Sequence, residues 1–250
     1  MSAACGTLPT TATRRITLSE PIDPSIPDEE RPILRRILDT LPPDHRAHAA
    51  ILHVTEDGRI LSNREDLKRT PQPRLISEGV WEDENGDRYY APPRDSRPAL
   101  VSPAAINPPC PGSGSAVGFY RRHSEPGYNA FQSEVYMPGA PDVQAGSDGE
   151  PHLYSGGWRN RGGAVDAGVQ YSPRYNWWTL VLFYEVARGR TRALVDRNFH
   201  FAAGTWLNTL VFNATTDDFV QVSAAGVPAA GYERQPNVRV LSAAMDPYFD

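Results

Sequence analysis

Residues 151–187, PHLYSGGWRNRGGAVDAGVQYSPRYNWWTLVLFYEVA, hold three of the chain's five tryptophans and its densest strand signals. Between Ala164 and Ser172 the apolar Val165, Ala167, Val169 and Tyr171 alternate with Asp166 and Gln170, the period-two pattern of a strand with one dry side. The stretch reads as three consecutive antiparallel strands. At its entrance into the third strand stand Trp177 and Trp178, and because neighbouring strand residues point to opposite faces, one indole enters the core while the other faces out.

Working outward, strand signals recur every eight to fourteen residues from Ala116 onward. They fall in AVGFYRR, NAFQSEVYM, PHLYSGGW, AVDAGVQYS, WTLVLFYEVA, TRALVDRNFHF, TWLNTLVFN, DDFVQVSAAG and NVRVLSA, with turn residues between and no helical periodicity. Residues 116–250 are therefore expected to form a mainly β, antiparallel two-sheet sandwich. Residues 28–100 are expected to form a small N-terminal unit of a helix and β-hairpins. In PDEERPILRRILDTLPP, Asp28 can cap a helix whose Ile33, Leu34, Ile37, Leu38 and Leu41 share one face, and Pro42-Pro43 ends it. Asp57-Gly58 and Asn85-Gly86 each sit between short apolar runs, as hairpin turns require. Residues 1–27 read as an extended tether, and the Pro/Gly/Ser-rich residues 101–115 as a linker.

Composition narrows the possibilities. At 250 residues, 40% of them hydrophobic, the chain can bury one sizeable core. No run approaches the roughly 20 apolar residues of a membrane span. With 25 basic against 30 acidic residues it lacks the basic footprint of a nucleic-acid binder, so no nucleic-acid partner is expected. Lys68 is the only lysine. His123, His152 and His200 are scattered, His45 and His48 lack a third ligand, and Cys5 and Cys110 have no metal-ligand spacing, so neither a metal nor another cofactor is expected. No Gly-x-Ser-x-Gly occurs. Met-Ser-Ala-Ala-Cys-Gly followed by a Thr/Pro-rich run is similar to the end of a bacterial lipoprotein signal. It implies an extracytoplasmic protein lipidated at Cys5, its only tie to a membrane.

Three carboxylates, Glu134, Asp166 and Glu185, lie inside strands rather than at turns. Phe131 and Val135 read as core, which leaves Gln132, Glu134 and Tyr136 on the opposite face. If that strand neighbours the one bearing Asp166 and Gln170, one sheet presents carboxylates, amides and rings together. Tyr175 and one of Trp177 or Trp178 extend the same surface. Aromatic rings stack on sugar faces while carboxylates and amides exchange hydrogen bonds with hydroxyls, so the face suits a polysaccharide or cell-surface glycan. Two carboxyl groups on one face, Glu134 and Asp166, would alternatively serve a hydrolase. Trp158 and Trp206 read as core.

Gly157, Trp158, Asp166, Ala167, Gly168, Gln170, Tyr171, Tyr175, Asn176 and Trp177 form a pattern that resembles exported bacterial proteins with a concanavalin-like jelly-roll sandwich. The resemblance implies a jelly-roll fold and export, and no particular activity. The Asp166-Ala-Gly-x-Gln170 strand is also similar, more faintly, to that of neprosin-type glutamic peptidases, in which a glutamate stands where this chain has Asp166. The expectation is an exported, lipid-anchored β-sandwich protein that binds extracellular carbohydrate, with a carboxylate-dependent hydrolase as the alternative.

Overall fold

The structure, a computed structural model, describes residues 21–91, 130–140, 142–143, 151–158, 164–187, 190–213, 218–224 and 226–244. Cys5, Cys110, most of the expected tether and the 101–115 linker lie outside the described residues. In chain order the elements are α1 (Arg31–Thr40), α2 (Pro43–Arg46), β1 (Ala49–Val54), β2 (Ile60–Ser62), α3 (Glu65–Lys68), β3 (Arg74–Ser77), β4 (Val80–Glu82) and β5 (Arg88–Tyr90). There follow β6 (Ala130–Met137), β7 (His152–Trp158), β8 (Ala164–Ser172), β9 (Trp177–Ala187), β10 (Arg190–Ala202), β11 (Thr205–Asn213), β12 (Asp218–Ala224) and β13 (Val238–Ala244). Eight of the nine strands expected after residue 116 are thus present as β6 to β13. The remaining one, AVGFYRR, lies outside the described residues.

Two sheets make a sandwich. One has six strands in the order β2-β1-β13-β12-β11-β6, the other four in the order β10-β9-β8-β7. Their facing sides share the main core: Leu52, Leu207 and Leu241 from the first meet Val165, Val169, Tyr171, Trp178, Leu180 and Leu182 from the second. The alternation in β8 decides which residues point inward, since Val165, Ala167, Val169 and Tyr171 are all buried there. The fold is mainly β, a sandwich with a small helical N-terminal part.

Both outer faces carry apolar side chains, so both need cover. On the six-stranded sheet, Leu34, Ile37, Leu38 and Leu41 of the α1 segment pack on Ala49, Ile51, Val238 and Val240. On the four-stranded sheet, Trp81 and Tyr89 of the small antiparallel sheet β3-β4-β5 pack on Val181, Phe183 and Val195, with the Trp81 and Phe183 rings 5.1 Å apart. The described part of the 28–100 segment, residues 28–91, is divided between opposite sides of the sandwich. Its first hairpin is part of the sandwich itself, because β1 runs parallel to β13 from Ala49↔Val238 to Val54↔Ala243. The helix also starts later than its capping pattern suggests. Asp28 makes no cap and instead pairs with Arg31 at 3.2 Å, while Glu30 is the N-cap without a side-chain bond.

Strand β10 is irregular between Val195↔Val181 and His200↔Thr179, where five steps on β10 match two on β9. Asp196 and Arg197 continue the alternation of the inward Leu194 and the outward Val195, so Asp196 points inward and Arg197 outward. Asp196 receives two hydrogen bonds from Arg239 of β13, Nε to Oδ2 at 2.6 Å and Nη2 to Oδ1 at 2.9 Å, and both side chains are buried. The guanidinium also lies over the Phe199 ring at 5.0 Å. Arg197 bonds Asp83 at 3.0 Å, Glu84 and the carbonyl of Pro71, which fastens the β4–β5 turn to the four-stranded sheet.

A buried ion pair is costly to break from one side, because the remaining charge keeps its desolvation without its partner. Arg239→Met should lower unfolding free energy by about 3–5 kcal/mol in urea titrations. Asp196→Leu combined with Arg239→Met should recover most of that loss, whereas a double variant no more stable than the single one would refute the assignment.

Candidate functional site

Strands β6 and β11 pair antiparallel at one edge of the six-stranded sheet, with Leu210↔Gln132, Asn208↔Glu134 and Trp206↔Tyr136 in register. Strand parity puts these six side chains on one face, and it is the outward one, since Leu207 on the other parity is buried in the main core. Among the described residues the α1 layer packs on β1 and β13, and Leu210 of β11 packs at its margin. Gln132, Glu134 and Tyr136 are exposed, as their alternation with Phe131 and Val135 led one to expect. Trp206 is 55% exposed and Tyr136 45%, with ring centroids 5.4 Å apart and planes inclined at 58°. The face is an open platform: two rings at one end, a carboxylate and two carboxamides beside them. Trp206 belongs to this platform and not to the core in which the sequence reading placed it. The alternation Trp206, Asn208, Leu210 against the buried Leu207 carries the signal, but its use required knowing that Tyr136 lies across the strand.

Asp166 and Gln170 do not join Glu134. Strand β8 lies in the four-stranded sheet, so Glu134 and Asp166 occupy the outward faces of different sheets, with the main core between them. Asp166 is half-buried beside Gly156, the residue across from it on β7. Burial, to which the Asp166 carboxylate adds, holds the Tyr154 phenol well above its usual range. Gln170 is only 4% exposed, and its side chain is used up by the covering sheet: Oε1 accepts from the Tyr90 amide at 3.0 Å, and Nε2 donates to the Arg88 carbonyl. Gly168, between them, lies under the Tyr154 side chain. A Cβ there would fall 1.9 Å from the Leu153 carbonyl oxygen. Glu185, the third strand carboxylate, is also buried on this side. The face that the sequence reading presents to solvent is the one that β3–β5 cover.

The double tryptophan divides as parity requires. Trp178 is buried, and its indole N–H donates to the Pro138 carbonyl at 2.8 Å, so it forms part of the core and of no exposed face. Trp177 points outward, yet it is flanked by two stacked rings: Tyr175 at 4.4 Å and 19°, and His200 at 4.2 Å and 8°. Tyr232 meets Trp177 and His200 edge-on, and the Arg174 guanidinium lies over Tyr175 at 4.9 Å. The column ends at Tyr175, which remains 37% exposed. Asn176, at φ 53, makes the turn before it, and its Oδ1 accepts from the Tyr171 hydroxyl and the Ala140 amide at 2.9 and 3.2 Å. Among the described residues no group of three or more His, Cys, Asp or Glu side chains is placed to hold a metal ion. No described helix is long and apolar enough to cross a membrane.

Compared with known proteins, the chain matches no family model and no curated protein.

The buried imidazoles make stability depend on pH. Burial pushes His200 down to about 4, with Asp196 opposing and Arg197 and Arg239 assisting, and its Nδ1 sits 2.8 Å from the Thr179 hydroxyl. Burial likewise pushes His53 down to about 4, aided by Arg36, beside Ser242 at 3.0 Å. Below the ordinary value of 6.5 the unfolded chain takes up protons that the folded chain refuses, so stability falls as pH drops from 6.5 towards about 4 and levels off beneath. Each histidine contributes up to about 1.4 kcal/mol per pH unit within that window. Urea unfolding at a series of pH values should show the decline, and His200→Gln should flatten it; an unchanged slope would count against the buried neutral imidazole.

Proposed function

We propose that the protein binds a polysaccharide or cell-surface glycan through the β6–β11 platform. What supports the reading is the pair Tyr136 and Trp206, two large rings left open to solvent on a sheet face whose remaining side chains are hydrogen-bonding groups. Solvent-exposed rings of this size mark a binding surface when they cluster. The 5.4 Å between ring centres is about the length of one pyranose unit, so successive sugars of one chain can each find a ring. The inclination of 58° favours a chain that twists between neighbouring units over a flat ribbon. Glu134, Gln132 and Asn208 then lie beside the bound sugars, where carboxylate and amide oxygens accept from hydroxyls and amide N–H groups donate.

The hydrolase alternative loses its geometric support, since Glu134 and Asp166 do not share a face. Tyr175 and Trp177 leave the proposed contact set because their rings are stacked on each other. Affinity electrophoresis against a panel of soluble glycans tests the proposal. Retardation by at least one glycan is expected, with Trp206→Ala weakening it by about thirtyfold, the roughly 2 kcal/mol of an interface anchor, and Tyr136→Ala by somewhat less. Retardation unaffected by Trp206→Ala, or a folded protein that no glycan retards, would overturn it.

Export and lipid attachment at Cys5 belong to the same proposal, resting on the Ala-Ala-Cys-Gly sequence and its Thr/Pro-rich continuation. Metabolic labelling with a fatty-acid analogue should mark the protein in the membrane fraction, and Cys5→Ser should abolish the label. An unlabelled wild-type protein in the cytosolic fraction would end this part.

A further inference from the structure

We infer that the platform selects polymers that carry amino sugars and rejects those built of uronic acids, an inference that rests on the glycan-binding reading above. Its basis is the isolation of one charge. Glu134 is the only charged residue on either β6 or β11, and it is exposed. Asn208 lies directly across from it, while Tyr136 is two residues along the same strand and Trp206 is on the diagonal. Strand spacing places a direct cross-strand neighbour about 5 Å away and a diagonal one about 7 Å away, so carboxylate and rings fall within the span of one disaccharide.

The electrostatics of such a patch have a single sign. A carboxylate attracts an ammonium group and forms with it a hydrogen bond stronger than one to a neutral hydroxyl. The faces of the tyrosine and tryptophan rings are also negative and draw the same cation. A uronate stacked on these rings would instead bring a second carboxylate against Glu134, with no arginine or lysine on either strand to offset the repulsion. The carboxamides of Gln132 and Asn208 are indifferent to charge and serve the hydroxyls of any sugar. Because the patch is open to water, selectivity should be modest and sensitive to salt.

Calorimetric titration of the full chain with glucosamine oligomers, their N-acetylated counterparts and galacturonic acid oligomers, in a mildly acidic buffer, tests the inference. At low salt the glucosamine oligomers should bind about fivefold more tightly than the acetylated ones, and the galacturonic oligomers a few-fold more weakly than the acetylated ones. High salt should remove the advantage. Glu134→Gln should also remove it while both of the first two ligands still bind, and Trp206→Ala should weaken both together. Equal affinity for amino and acetylated oligomers at low salt would overturn the selectivity and leave the glycan-binding reading standing. An amino-sugar preference that survives Glu134→Gln would reflect the chain's overall charge of −5, and would overturn it too. If no oligomer binds a sample whose circular dichroism shows a folded sheet protein, the glycan-binding reading fails and the inference with it.

Discussion

The segment of β10 from Val195 to His200 ties the layers together, because Asp196 and Arg197 bond to partners on opposite sides of the sheet. Strand alternation turns Asp196 across the sandwich to Arg239 and Arg197 away from it to Asp83 and Glu84. The break in register then inverts the alternation, so that Phe199 and Phe201 face the core and His200 emerges on the outward side, where Trp177 of the neighbouring strand stacks on it. Two contacts between layers and one within the sheet thus gather at one break in strand register. Asp196 and Arg239 are among the most deeply buried groups described, and they are tolerated there because two parallel hydrogen bonds and a ring beneath the guanidinium replace lost water.

Side-chain amides do comparable work at the margins of the sheets. Gln170 offers its oxygen and nitrogen to Tyr90 and Arg88 as a neighbouring strand would. Gln72 does so for Val195, accepting from its amide at 2.9 Å and donating to its carbonyl at 3.3 Å. Asn63 serves Ile51 and Ala49 in the same way, at 2.8 and 2.9 Å. A carboxamide carries a donor and an acceptor in the geometry of a peptide group, so it can end a ladder without leaving backbone groups unsatisfied. That chemistry explains why the β3–β5 sheet can lie on the four-stranded sheet although no strand of one continues the other.

Strand positions and facing were legible in the sequence because both depend on neighbours one or two residues away. The dry side of β8, the division of Trp177 and Trp178 between two faces and the outward Glu134 all follow from parity. Sheet membership does not. Nothing near Glu134 in the chain records that β6 pairs with β11 and not with β8, and nothing near Asp166 records that Trp81 and Tyr89 arrive to cover its face. The sequence reading assembled one face from residues of two sheets for that reason. Trp206 reads as core for the same cause, since a tryptophan on a strand looks identical from its own segment whether its side is covered or open. The parallel pairing of β1 with β13 joins residues almost two hundred positions apart, beyond any local pattern.

That parallel pairing also sets how the molecule responds to force. Tension applied before β1 and after β13 pulls two adjacent parallel strands in opposite directions along their common axis. The rungs from Ala49↔Val238 to Val54↔Ala243 then bear the load together, in shear, instead of opening one after another like a zip. The helix α1 and the buried Leu52 and Leu241 keep water from these rungs on both faces. Gripped immediately before β1 and after β13, the chain therefore carries the load through these rungs, and the sandwich behind them stays unloaded until they part.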